Sequence, residues 1–149
     1  MLTEEVKKSI DESILCWLAT VDDEGSPNCS PKEIFTHFGD SQVIIANIAS
    51  PESVNNVQTN SAVCVSFVHV FKQKGFKLKG HAKYVSAEST VYREQLELLQ
   101  SLAGESFPVK GVFVVEVFSA KQIIAPGYYL VPGTTEEGQV ENAKLTYGL

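Results

Sequence analysis

The side chains able to do chemistry are few in this sequence and far apart. Three cysteines (Cys16, Cys29, Cys64) and three histidines (His37, His69, His81) fall in separate segments, with no Cys-x-x-Cys pair and no His at a ligand offset. A structural zinc site needs such spacings, so no structural metal is expected. The cysteines sit in apolar segments and read as small buried hydrophobes in a reducing compartment. The sequence contains no Gly-x-Ser-x-Gly elbow, Walker loop, Gly-x-Gly-x-x-Gly or His-Glu-x-x-His. Without a nucleophile and its base, two classes stay open: a binding protein, or an enzyme whose cofactor carries the reactivity.

Two features could still contribute to a site. Ser50-Pro51-Glu52 combines an N-cap serine, a proline at the first helical position and an acid behind it, which together open a helix with or without a ligand. Lys32 lies in an extended segment and on its own is most simply a solvated strand lysine. Trp17 reads as core, and the Tyr128-Tyr129 pair as packing residues.

The chain has 149 residues, 44% of them hydrophobic and 20% charged, with a formal net charge of −6 and a single arginine, Arg93. That length suits one domain, residues 1–149, able to bury a core without staples. The acidic balance argues against a nucleic-acid binder, which must neutralise phosphates. The longest apolar runs, Val43–Ala46 and Gly111–Val115, fall far short of the roughly 18 residues a membrane helix needs. Residues 1–9 lack the apolar stretch of a signal peptide, so the expected location is the cytoplasm, with neither nucleic acid nor membrane as partner.

The elements follow from periodicity and punctuation. Thr3 can cap a helix carrying Glu4 and Glu5 in its first turn and Val6, Ile10 and Ile14 on one face. Leu15–Val21 and Ser26–Phe35 flank the turn Asp22–Gly25 as a hairpin, and Gln42–Asn47 is a buried third strand after Gly39-Asp40. A helix starts at Ser50 and ends near Asn60. Ala62–Phe71 and Phe76–Val85 are strands, the second alternating Phe76, Leu78, Gly80, Ala82 and Tyr84 with Lys77, Lys79, His81 and Lys83. Ser86 opens a helix with Val91, Leu96, Leu99 and Leu102 along one stripe, stopped by Gly104. Gly111–Phe118 is a strand, Ile123–Tyr129 an apolar stretch, and Val140–Tyr147 a terminal helical turn or two. Six strands joined by short turns pair antiparallel, and a small barrel hides their edges.

The run Trp17-Leu18-Ala19-Thr20 through Gly25-Ser26-Pro27 to Pro31-Lys32 resembles the opening hairpin of the pyridoxamine 5′-phosphate oxidase-like FMN-binding split barrels. Ile44-Ile45-Ala46-Asn47 before a Ser/Pro-started helix, the Asn56–Val63 passage, and Leu78-Lys79-Gly80-His81-Ala82 match in the same order, and Val114–Ala120 looks like the closing strand. The resemblance implies a mainly β (α+β) fold, an antiparallel six-stranded split β-barrel with flanking helices, assembled as a homodimer around two FMN molecules. It implies an FMN phosphate at the start of the Ser50–Thr59 helix, met by Ser50, Ser53, Asn55 and Lys32. The flavin ring would lie between Pro31, Lys32 and Glu33 on one side and Ile45, Ala46, Asn47 and Ile48 on the other, with Lys79 and Tyr128 arriving from the second subunit. Many relatives carry a basic residue early in this helix where Glu52 stands, a side chain that suits the helix but repels phosphate. The implied activity is an FMN-dependent oxidoreductase taking a small-molecule substrate or electron donor. The reading from a different class is a non-catalytic flavin- or haem-binding protein. Pyridoxamine phosphate oxidation itself is not expected of a chain this short and this poor in arginine.

Overall fold

The computed structural model describes residues 1–149. In chain order the elements are α1 (Glu4–Glu12), β1 (Cys16–Val21), β2 (Pro27–Lys32), β3 (Phe35–Phe38), β4 (Gln42–Asn47), α2 (Pro51–Thr59), β5 (Ala62–His69), β6 (Lys74–Ser86), α3 (Arg93–Ala103), β7 (Gly111–Ile124), α4 (Gly127–Leu130) and α5 (Glu136–Thr146). The seven strands form one sheet in the order β2-β1-β5-β6-β7-β4-β3, with every pairing antiparallel.

The two edge strands, β2 and β3, are consecutive in the chain and only Glu33-Ile34 separates them. So short a link forces the sheet to curl until its edges approach, which makes it a barrel split along one side. This accounts for seven strands where six were expected. The extended segment read as Ser26–Phe35 changes partners midway: Pro27–Lys32 pairs with β1, and Phe35–Phe38 pairs with β4. The Ile34 carbonyl accepts the Ala46 N–H at 2.9 Å at the crossing.

Alternation sends Leu18, Val65, Leu78, Phe113, Val43 and Ile45 into the barrel, where Val6 and Ile10 of α1 and Val57 of α2 join the same core. Each such side chain, fully buried, contributes roughly 1.5–3 kcal/mol. A second cluster lies outside the barrel wall, where Leu96 and Leu99 of α3 cover Ile44 and Ala46 of β4 and Val112 and Val114 of β7. Strand β4 is therefore buried on both faces, which is why its sequence is an unbroken apolar run. Gly80 sits at a register shift between β6 and β7, where an added Cβ would collide with the Glu116 carbonyl oxygen and lie 2.7 Å from Val115 Cγ1. The expected face of Lys77, Lys79, His81 and Lys83 is exposed.

Thr3 caps α1 by accepting the Val6 N–H at 3.2 Å, but the helix ends at Glu12, so Ile14 lies beyond its buried face and is 82% exposed. The helix expected from Ser86 starts later. Strand β6 holds Ser86 opposite Gly111, and α3 begins only after Tyr92, which takes a left-handed conformation at φ 57°. Val91, read as part of the buried stripe, therefore precedes the helix and is exposed, and Leu102, near the end of α3, is exposed as well. The C-terminal helix α5 is longer than the expected turn or two. No helix is long and apolar enough to cross a membrane.

Candidate functional site

Where β2 runs out into the Glu33-Ile34 crossing, it meets the end of β4 and the start of α2 around a cavity of about 460 Å³. Lys32 is the buried cation of this cavity, only 7% exposed. Its Nζ donates to Ser30 Oγ at 3.0 Å and also to Ser50 Oγ, and Ser30 Oγ shares a hydrogen bond with Ser53 Oγ at 3.1 Å. No carboxylate lies within ion-pair distance of it. Burial holds the Lys32 ammonium below the ordinary lysine value, with Cys16 acting weakly the other way. Cys16 sits directly opposite Lys32 in the β1–β2 ladder, but burial pushes its thiol up to about 12. It stays neutral and is no counter-ion. An ammonium removed from water and met only by hydroxyls is short of negative charge, which an anion in the cavity would supply.

The start of α2 faces the same space. Ser50 does not cap the helix through its side chain, because its hydroxyl receives Lys32; its N–H donates instead to Asn47 Oδ1 at 3.0 Å. Asn47 is fixed in turn by donating through Nδ2 to the Tyr84 hydroxyl at 2.9 Å. Pro51 has no N–H and the Val54 N–H reaches the Ser50 carbonyl at 3.1 Å. The Glu52 and Ser53 N–H groups are left with no acceptor in the chain, at the positive end of the helix dipole. The Glu52 side chain is exposed and does not line the cavity.

Of the residues singled out in the sequence, Pro31, Lys32, Glu33, Ala46, Ile48 and Ser50 are brought together around this cavity. Asn47 and Ser53 are buried just behind it and hold its wall through the hydrogen bonds above. Ile45 points the other way, into the barrel core, as strict alternation from Ala46 requires. Asn55 is exposed on α2; its neighbour Asn56 is the buried one, donating to Thr20 Oγ1 at 3.0 Å. Lys79 lies on the exposed face of β6 beside Cys64 and Ala19, apart from this cavity. Tyr128 is engaged within its own chain, donating to the Lys72 carbonyl at 2.7 Å under the Lys74 ammonium, 4.4 Å from the ring centroid.

Sequence reasoning missed the far wall, made by Ile34, Leu102, Ala103 and Phe107. The available signal was Phe107, a large aromatic in the polar loop after Gly104. It also missed a second, apolar hollow of about 460 Å³, lined by Ile14, Trp17, Val68, Val70 and Ile123 and sharing Glu33 with the first. Trp17, read as core, is 44% exposed because it alternates with the inward-facing Cys16 and Leu18.

The profile of the family described as Pyridoxamine 5′-phosphate oxidase matches residues 2–125. No curated protein sequence matches the chain. Among solved structures, HupZ of Group A Streptococcus superposes with a TM-score of 0.69 at 25% identity, over 84% of this chain and 99% of that one. An FMN-binding protein of Syntrophomonas wolfei gives 0.68 at 16% identity, over 82% and 86%. HutZ, the heme storage protein of Vibrio cholerae, gives 0.62 at 21% identity, over 83% and 95%. At their identities the last two speak to the fold alone.

Proposed function

The chain belongs to the pyridoxamine 5′-phosphate oxidase family, matched over residues 2–125, and from that premise we propose that it is an FMN-binding oxidoreductase whose flavin phosphate seats on Lys32. The observation that carries this reading is the buried Lys32 ammonium, which has hydroxyl partners but no carboxylate. Lys32 supplies the positive charge, the Glu52 and Ser53 N–H groups supply donors at a helix start, and Ser50 and Ser30 orient the ammonium. Pro31, Glu33 and Ile34 form the strand edge for the ring, and Ile48 and Ala46 help keep water from it. Bound FMN would supply the electron transfer between a small-molecule substrate and an electron donor. The protein's part is to bind, orient and shield.

HutZ is described as a heme storage protein, so haem is the competing ligand. The lining of the Lys32 cavity includes no His, Cys, Met or Tyr to ligate an iron axially, which favours the flavin. A homodimer is part of the reading. The sheet exposes Trp17 on β1 and Phe118 on β7, and the turn after β5 exposes Val70, apolar surface that a second copy would cover. The role of Lys79 in a neighbouring subunit's site rests on that association. The three free cysteines fit a reducing compartment such as the cytoplasm.

The visible spectrum of the purified protein tests the proposal. A flavin spectrum, or uptake of one added FMN per chain, is the expected result; a colourless protein that takes up no FMN would end it. Reduction of the bound flavin by a nicotinamide donor separates an oxidoreductase from a storage protein, and a monomer by sedimentation would remove the two-subunit site.

A further inference from the structure

The two hollows that meet at Glu33 are chemically unlike. Around the first, Lys32 is the only cation; around the second, Glu33 is the only charged group. Glu33 is exposed and takes part in no ion pair, so its charge is available to a ligand. Once a phosphate occupies Lys32, a second ligand finds apolar surface that includes Trp17 and Phe67, and one carboxylate. We propose that the apolar hollow beside Trp17 is the substrate side of the flavin site, and that Glu33 is its specificity residue, selecting a neutral or cationic planar apolar molecule and turning away anions.

The inference rests on the flavin reading, because the strand edge Pro31–Ile34 that would carry the ring borders this hollow. Trp17, partly exposed in the lining, is an indole on which an aromatic ring or a cation can pack. Ile14, Leu15, Phe67, Val68, Val70 and Ile123 supply the rest of the apolar surface.

Trp17 is the only tryptophan, so its fluorescence reports the hollow whether or not flavin is present. The experiment titrates FMN-loaded and flavin-free protein with three matched quenchers: para-nitrobenzylamine, para-nitrobenzyl alcohol and para-nitrobenzoate. Saturable quenching is expected, with the anion binding at least about tenfold more weakly than the cation, a difference one carboxylate at close range can produce. Glu33→Gln should erase that difference and leave the alcohol unchanged; Glu33→Lys should reverse the order. Equal binding of all three, an order that survives Glu33→Gln, or no saturable quenching would overturn the proposal. Failure of the flavin reading shows separately, as absent FMN uptake in visible absorbance.

Discussion

Asn47 and Ser50 are joined across the mouth of α2: Asn47 Oδ1 accepts the Ser50 N–H at 3.0 Å, and Asn47 Nδ2 donates to the Tyr84 hydroxyl at 2.9 Å. One buried amide therefore ties the first residue before the helix to strand β6 and positions the hydroxyl that receives Lys32. Asn47→Ala leaves the Ser50 N–H and the Tyr84 hydroxyl without these partners. The expected loss is about 1–3 kcal/mol of stability, together with weaker FMN binding. Gly111→Ala should reach the same network from the far side, because its Cβ would collide with the Tyr84 hydroxyl and lie 2.5 Å from the Val85 carbonyl oxygen. Overpacking of this kind costs roughly 1–3 kcal/mol. The two changes act on one tyrosine, so denaturant unfolding of the double variant should show less than the summed loss. Strict additivity would show that Tyr84 does not couple them.

Most of the barrel could be read in the sequence because its strands obey simple alternation. Phe76, Leu78 and Ala82 against Lys77, Lys79 and Lys83 announce a strand with one wet face, and Val43–Ala46 announces one buried on both. The crossing at Glu33-Ile34 could not be read this way. Nothing in Ser26–Phe38 marks where the segment leaves β1 for β4, since the exchange of partners is a tertiary event without a turn residue. The late start of α3 was hidden for a similar reason: Ser86 has the chemistry of a cap, yet pairing with Gly111 keeps it in the strand. At the site, Lys32 and Ser50 could be named from the sequence, while their mutual hydrogen bond and the missing carboxylate could not. Those depend on folding β2 against α2. The far wall, Leu102 and Phe107, comes from residues more than fifty positions away in the chain.

Lys32→Met separates the anion site from the fold. Burial holds this lysine below its ordinary 10.5, so the folded protein binds the proton less tightly than the unfolded chain. The charged form thus opposes folding at neutral pH, and this opposition is relieved as pH rises through the lowered folded value toward 10.5. At neutral pH flavin-free Lys32→Met should be at least as stable as flavin-free wild type, and that advantage should shrink across the alkaline window as the wild-type lysine loses its proton. FMN affinity should fall by about tenfold or more, since a hydrogen bond to a charged group is worth about 1.5–3 kcal/mol. Thermal unfolding over pH and FMN titration provide the two readouts. Unchanged FMN affinity would remove Lys32 from the phosphate site.

Glu52→Lys tests the other side of that site. The Glu52 side chain is exposed and outside the cavity, yet its backbone N–H is one of the two free donors at the helix start. Reversing the charge should raise FMN affinity several-fold at low salt, in keeping with the roughly 0.3–1 kcal/mol typical of an exposed charge near a helix terminus. The gain should shrink as salt is added. The helix itself should weaken slightly, because an acid in the first turn favours it. No gain at any ionic strength would place the phosphate elsewhere.

The segment beyond the family match is held by an electrostatic clamp that acid should open. Glu136 at the start of α5 meets Lys74 at 3.1 Å and Lys72 at 3.3 Å, and Lys72 also reaches Glu12 of α1 at 3.2 Å. Hydrogen bonds from Lys74 and Lys72 hold the Glu136 carboxyl below its ordinary 4.5. A carboxyl depressed on folding stabilises above its unfolded value, and that contribution is lost as pH falls through the lower folded value. The groups are partly exposed, so screening keeps the effect small and local. Ala143 is the only buried residue of α5, which leaves the helix little else to anchor it. Acidification below about 4.5, or Glu136→Gln at neutral pH, should therefore speed hydrogen exchange in α5 while protection in β5, β6 and β7 stays unchanged. Equal loss of protection in helix and sheet would mean that α5 belongs to the cooperative core. Unchanged exchange in α5 would mean that the contacts of Phe71 with Tyr147 and Lys144 hold the helix without the clamp.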